Sequence, residues 1–252
     1  MKLGEIFSKH FDIELFPKVY DTIAFTETGL IKQVNEEINS ECLKELKKIL
    51  KGFKIVASIF FIKKPGEDSH LSLHIDTSLT IEPYNAMGIW IPLCDIDEAT
   101  GRFCLLENSN YFLPPYNTPS MPCPYSQVED MLNPYLRCIS MKAGDALIMD
   151  NSIVHCTQKN ISQKTRIAVV IKIIDQSAPL VTTYYDESAE DGRKVKLYKQ
   201  DEDFFTTENF RLPTPPASAE FMSYVPGLPK LFQKEEILGL IDKHNPLTYG
   251  VN

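Results

Sequence analysis

The sequence predicts a mainly β protein with flanking helices, built as a sandwich or a barrel. Between Phe53 and Ile174, seven short runs rich in β-branched and aromatic residues follow one another. No amphipathic helix interrupts them, and the segment with helical spacing stands ahead of them. In chain order, residues 33–50 place Val34, Ile38, Cys42, Leu46 and Ile49 on one helical face, with Glu and Lys on the other and Gly52 close to the stop. The strand runs are then FKIVASIFFI, LSLHID, MGIWIPL, RFCLL, YLRCISM, ALIMD and RIAVVIKII. Residues 107–135 break the rhythm with Pro114, Pro115, Pro119, Pro122, Pro124 and Pro134, which suits a long ordered loop. After Asp175 the tail is charged and then Pro-rich, and its helical stretch QKEEILGLIDKH is expected to pack onto the β core. Without an internal repeat or a linker, one domain over residues 1–252 is the simplest division, with its core at about 53–174 and an extension over 175–252.

Composition narrows the function. With 26 basic and 34 acidic residues the formal charge is −8, and no Lys/Arg run stands out, which argues against nucleic acid or an anionic membrane as partner. No stretch approaches the ~20 apolar residues of a membrane span, and the first residues lack a signal peptide's features. A cytoplasmic protein is expected, its six cysteines reduced. None of them forms a CxxC pair, which disfavours a zinc ribbon.

The segment HLSLHIDTSL puts His74 and Asp76 two positions apart, on one face if the stretch is a strand. Composition alone supplies such a pair roughly one time in three, so it needs company. His155 provides it, in AGDALIMDNSIVHCTQKNISQKTRIAVVIKI. Two histidines and one carboxylate make the set that holds non-haem Fe(II) while leaving coordination positions open. An oxygenase that uses an organic two-electron donor also needs a fixed cation for the donor's carboxylate. Arg166 suits this, because guanidinium pairs with a carboxylate through two parallel hydrogen bonds and stays charged when buried; a structural ion pair at a strand end is the other reading.

The blocks LHID, MGIWIPLCDIDEATGRFCLLENS and GDALIMDNSIVHCTQKNISQKTR, in this order and spacing, resemble the phytanoyl-CoA dioxygenase family of Fe(II)/2-oxoglutarate-dependent oxygenases. The resemblance implies a double-stranded β-helix, a jelly-roll or cupin-like barrel with iron at its mouth. It implies His74, Asp76 and His155 as iron ligands and as the catalytic centre, and Arg166, eleven positions after His155, as the clamp on the distal carboxylate of 2-oxoglutarate. Thr157 stands where the family places a hydroxyl that can bind the same carboxylate, and Trp90 matches a tryptophan lining the co-substrate pocket, core packing being its alternative. Fe(II), 2-oxoglutarate and O2 are the implied cofactors, with ascorbate as a possible stimulant. The implied reaction is hydroxylation of an unactivated C–H bond, with release of succinate and CO2; desaturation, epoxidation and cyclisation share its first steps. An intact Asp76 argues against halogenation.

The chain departs from the family at TGR (100–102) and NSN (108–110), where NGG and GSH are common; Arg102 is expected to face solvent. Residues 107–135 are placed like the insert that covers the barrel mouth, a lid whose tyrosines Tyr111, Tyr116, Tyr125 and Tyr135 could meet substrate. Lys63 and Lys64 are expected to be solvated, and His70 carries no assigned role. A small-molecule metabolite is the expected substrate, and neither its identity nor the oligomeric state follows from the sequence. The competing function is a non-redox cupin-like metal-binding protein or isomerase, which would have no use for a cation at Arg166.

Overall fold

In the computed structural model, which describes residues 2–22, 27–118, 123–186, 188–189, 191, 193–207, 214–216 and 219–244, two helices precede the β core. These are α1 (Lys2–His10) and α2 (Thr28–Ile49), with strand β1 (Val19–Asp21) between them. Helix α2 carries most of the predicted apolar face, with Val34, Ile38, Cys42 and Leu46 buried, but Ile49 at its last turn is exposed. Gly52, at φ +65°, sits in the left-handed region just beyond its end. The face packs with Leu3, Ile6 and Phe7 of α1 onto Phe60, Ile62, Val169 and Ile171. Each such buried side chain contributes about 1.5–3 kcal/mol of transfer free energy.

The predicted strands form as β2 (Phe53–Lys63), β3 (Leu71–His74), β4 (Ala86–Pro92), β5 (Phe103–Leu106), β6 (Leu136–Ile139), β7 (Leu147–Asp150) and β9 (Arg166–Asp175), with the short β8 (His155–Thr157) added. One antiparallel sheet has the order β1-β2-β9-β4-β7 and a second the order β3-β8-β5-β6. They close on each other as a jelly roll over Trp90, Phe103, Leu105, Met149 and Ala168.

The β2–β9 ladder sets what faces the interior. Its register pairs Ala57 with Lys172, Ile59 with Val170, Phe61 with Ala168, and Lys63 with Arg166. Alternation sends these side chains inward while Phe60, Ile62, Val169 and Ile171 meet the helices.

Part of segment 107–135 is helical, in α3 (Ser109–Phe112) and α4 (Glu129–Leu132), and its residues 119–122 lie outside the described residues. Leu113, Tyr125, Val128 and Leu132 pack on the outer face of the second sheet. The tail forms a third antiparallel sheet, which the sequence reading missed: β10 (Val181–Tyr185), β11 (Lys194–Lys199) and β12 (Glu220–Pro226). In β11 the buried Val195 and Leu197 alternate with lysines, so its apolar content is only half that of a core strand. Helix α5 (Phe204–Thr207) buries Phe204 and Phe205, and α6 (Lys234–His244) packs as expected, through Ile237 and Ile241. Parts of the Pro-rich stretch, residues 208–213 and 217–218, lie outside the described residues.

The expectation of six reduced cysteines fails for one pair. Cys104 and Cys138 face each other directly across β5 and β6, 4.0 Å apart at Cα, and are joined in a disulfide. Cys42, Cys94, Cys123 and Cys156 are free. Among the described residues no helix is long and apolar enough to cross a membrane.

Candidate active site

Strands β3 and β8 lie side by side so that His74 and His155 are direct cross-strand partners, their ring centroids 4.2 Å apart. Asp76 is not on the strand, which ends at His74; it lies just beyond, where its N–H donates to the Asn151 carbonyl at 3.1 Å. One ligand atom from each of His74, Asp76 and His155 lies within 4.8 Å of the others, close enough to hold one ion. Nδ1 of His74 is 2.7 Å from the Ser72 carbonyl oxygen and Nδ1 of His155 is 2.9 Å from that of Ile153. A proton on each Nδ1 donates there, which leaves both Nε2 atoms free as ligands. Phe103 stacks on His155 at 5.0 Å and fixes its plane.

Electrostatics favour an ionised Asp76 and a neutral His155. Burial alone would push the Asp76 carboxyl up, but Lys172, His155 and His74 outweigh it and hold it well below the usual carboxylate range. Burial and the neighbouring His74 push His155 down to about 3, against the pull of Asp76, so its imidazole is neutral at neutral pH.

A cavity of about 370 Å³ opens beside these three residues, lined otherwise mainly by apolar side chains: Ala57, Ile59, Phe61, Leu71, Ile75, Leu79, Trp90, Phe103, Met149, Val170 and Phe205, with Asp21, Thr77, Asn117, Thr157 and Lys172 adding polar groups. Trp90 and Thr157 line it, and Trp90 also packs in the core with Phe103 and Met149. Arg166 does not face it directly. It is fully buried behind Trp90, its guanidinium 5.3 Å from the indole centroid. One Nη donates to the Gly101 carbonyl, while Nε and the other Nη have no hydrogen-bond partner among the described residues. Gly101 makes this contact possible: it has φ +88°, and a Cβ there would lie 2.4 Å from the Gln158 carbonyl oxygen.

Lys63 overturns its expectation. It is fully buried, opposite Arg166, and its Nζ donates to Thr157 Oγ1 at 2.7 Å and to the carbonyls of Thr157 and Gln158 at 3.1 and 2.6 Å. Burial and the facing Arg166 push it down to about 6. Lys64 behaves as expected at the surface.

The sequence reading also missed Lys172 and Asn151. The Lys172 ammonium contacts Asp76 Oδ2, and Asn151 Oδ1 at 2.6 Å. The signal was present: strand alternation puts Arg166, Ala168, Val170 and Lys172 on one face, and a lysine on an inward face needs a partner.

Other expected residues lie away from the centre. Arg102 is partly exposed and pairs with Gln158 and Glu98. His70 pairs with Glu129 near the surface. From the described part of segment 107–135 only Asn117 lines the cavity. Tyr111 is exposed, Tyr116 hydrogen-bonds the Glu82 N–H, and Tyr125 is buried against Phe232.

Residues 9–168 match the family model described as Phytanoyl-CoA dioxygenase (PhyH). No characterised protein sequence is significantly similar to the chain. Among solved structures, HygX from Streptomyces hygroscopicus, with nickel, 2-oxoglutarate and hygromycin B bound, is similar at 16% identity and a TM-score of 0.46 over 68% of this chain and 78% of that one. SnoK, a non-heme alpha ketoglutarate dependent carbocyclase from nogalamycin biosynthesis, is similar at 18% identity and a TM-score of 0.49 over 70% and 73%. EvdO2 from Micromonospora carbonacea var. aurantiaca, complexed with 2-oxoglutarate, is similar at 15% identity and a TM-score of 0.44 over 57% and 64%.

Proposed function

The chain belongs to the phytanoyl-CoA dioxygenase family, and from that premise we propose that it is an Fe(II)- and 2-oxoglutarate-dependent dioxygenase hydroxylating a C–H bond of a small-molecule metabolite. The observation that carries this reading is the convergence of His74, Asp76 and His155 beside a largely apolar cavity. Their donor set fits ferrous iron: two imidazoles and a carboxylate would take three positions of its coordination sphere and leave others open for the co-substrate and dioxygen.

In this reading His74 and His155 hold iron through Nε2 and Asp76 through its carboxylate. Arg166 clamps the distal carboxylate of 2-oxoglutarate. Its unpartnered Nε and Nη are buried donors that match two carboxylate oxygens, and their isolation costs free energy until an acceptor arrives. Lys63 stands beside it, its amine contacting the Thr157 hydroxyl, and would become a second cation on taking up a proton with the same anion. Trp90 packs against the guanidinium and lines the cavity, and it would form the wall along which the co-substrate reaches Arg166.

Iron, 2-oxoglutarate and dioxygen together supply the oxidising power, the co-substrate leaving as succinate and CO2 while one oxygen atom goes to the substrate. The protein aims the substrate and excludes water. Ile59, Phe61, Leu79, Val170 and Phe205 offer contact to an aliphatic or aromatic body. The cavity's volume suits a free metabolite of modest size.

Succinate formation from 2-oxoglutarate, with Fe(II) added anaerobically before air, tests the reading. Wild type is expected to form succinate even without its substrate, slowly, and Asp76→Ala and His155→Ala to form none. Turnover retained in either variant removes the triad.

A further inference from the structure

Resting on the metal-centre reading above, we propose that Lys172 is a positioning residue: it ties up one oxygen of Asp76, so that the carboxylate offers iron one oxygen and not both. The ammonium of Lys172 contacts Asp76 Oδ2, the oxygen that also lies 3.9 Å from His155 Nε2, and its side chain is only 13% exposed.

Three features show that the lysine has a built place there. Gly88 faces it across β4 and β9, and a Cβ at this position would lie 3.0 Å from Nζ, so the missing side chain is the room the ammonium occupies. Asn151 Oδ1 receives a second ammonium hydrogen at 2.6 Å. Asn151 is itself fixed, its Nδ2 donating to the Thr77 carbonyl at 2.7 Å and its N–H to the Ala86 carbonyl at 2.9 Å. Its own carbonyl accepts the Asp76 N–H. One residue thus holds both the backbone of Asp76 and the cation on its side chain.

The consequence is one of coordination count. Two imidazoles, one carboxylate oxygen and a chelating keto acid leave a single position of an octahedron for dioxygen. A carboxylate free to swing can close on a divalent ion with both oxygens and fill that position. An ammonium hydrogen-bonded to one oxygen opposes this, because chelation would bring the ion against a fixed positive charge.

Nitric oxide, which binds ferrous iron where dioxygen would, is the probe. Wild type, Lys172→Met and Gly88→Ala are loaded anaerobically with Fe(II) and 2-oxoglutarate, the chelate is read from its visible band, and nitric oxide is titrated against the half-integer-spin resonance of the nitrosyl. The expected result is a chelate band in all three. Nitric oxide affinity should fall about 10- to 100-fold in Lys172→Met and less, in the same direction, in Gly88→Ala, where the lysine remains but is crowded. Thermal unfolding shows whether each variant is folded, and Gly88→Ala decides the matter if Lys172→Met is not. Equal nitric oxide affinity in folded variants overturns the role of Lys172 and leaves the metal centre standing. Absence of the chelate band in wild type overturns the metal centre and this inference with it.

Discussion

Removing the buried amine of Lys63 should make the protein's stability less dependent on pH, by an amount the structure sets. Burial and the facing Arg166 lower Lys63 from 10.5 to about 6. Between those values the unfolded chain binds a proton that the folded protein refuses, so stability rises with pH across that window. The destabilisation is full below about pH 6 and gone above the unfolded value. For a side chain with no solvent exposure the linkage relation gives a cost of about 6 kcal/mol near pH 6 and about 2 kcal/mol near pH 9. Thr157 Oγ1 and two carbonyls match the three hydrogens of an ammonium and offset part of this, so these figures are upper bounds. Lys63→Met removes the donor to Thr157 Oγ1 and to the carbonyls of Thr157 and Gln158, a loss of about 1 kcal/mol per bond, but that loss does not vary with pH. Urea unfolding of both proteins from pH 6 to pH 9 should therefore show the stability of Lys63→Met, relative to wild type, declining by up to about 4 kcal/mol as pH rises. A difference that stays flat across this range refutes the buried, uncharged amine.

The same amine predicts proton uptake on co-substrate binding. At pH 7.5, above the value to which burial and Arg166 lower it, Lys63 is mostly uncharged, and a dianion beside it should draw in a proton, seen as a binding heat that depends on the buffer's ionisation enthalpy; buffer-independent heat counts against it. Arg166→Ala should raise the apparent KM for 2-oxoglutarate far more than it lowers kcat, and an unchanged KM would move the clamp elsewhere. Gly101→Ala forces a Cβ to 2.4 Å from the Gln158 carbonyl at φ +88° and should cost about 1–3 kcal/mol or more of stability. It should also weaken 2-oxoglutarate binding by shifting the carbonyl that holds Arg166. A wild-type melting temperature would show that the turn relaxes without cost.

What the sequence made legible was local. His74, Asp76 and His155 could be singled out because the His-x-Asp spacing, and the order of blocks around it, are written in the chain itself, although Asp76 lies just beyond the strand. Strands β2 to β7 and β9 were legible for the same reason, since an apolar run bounded by turn residues names its own conformation. Lys63 was misread because its neighbours, Lys64 and PGED, are those of a surface turn. Its burial depends on the β2–β9 register, which pairs residues over a hundred positions apart. Cys104 and Cys138 illustrate the same limit, as their bond follows from strand pairing that no cysteine spacing encodes. In β10, β11 and β12 the strands were hidden by lysines on the outer face and by the prolines around them.

The two sheets divide the chemistry between them, and that division explains why the register matters. The two histidines of the candidate centre come from β3 and β8 of one sheet, while the charges that would fix the co-substrate and the carboxylate come from β2 and β9 of the other. On β9, Arg166 and Lys172 stand six residues apart, a span of about 20 Å, with Ala168 and Val170 between them on the same face. One rigid strand thus carries a cation for each end of the reaction centre. A one-residue slip of β9 would turn both outward and bring Ile167 and Ile171 in, removing every charge from that face at once. The apolar outer face buried under α1 and α2 prevents this, because the same slip would take Val169 and Ile171 away from the helices and bury Arg166 and Lys172 against them. The hydrophobic packing on the far side of the sheet is therefore what holds Arg166 and Lys172 inward, although none of its residues touches the cavity.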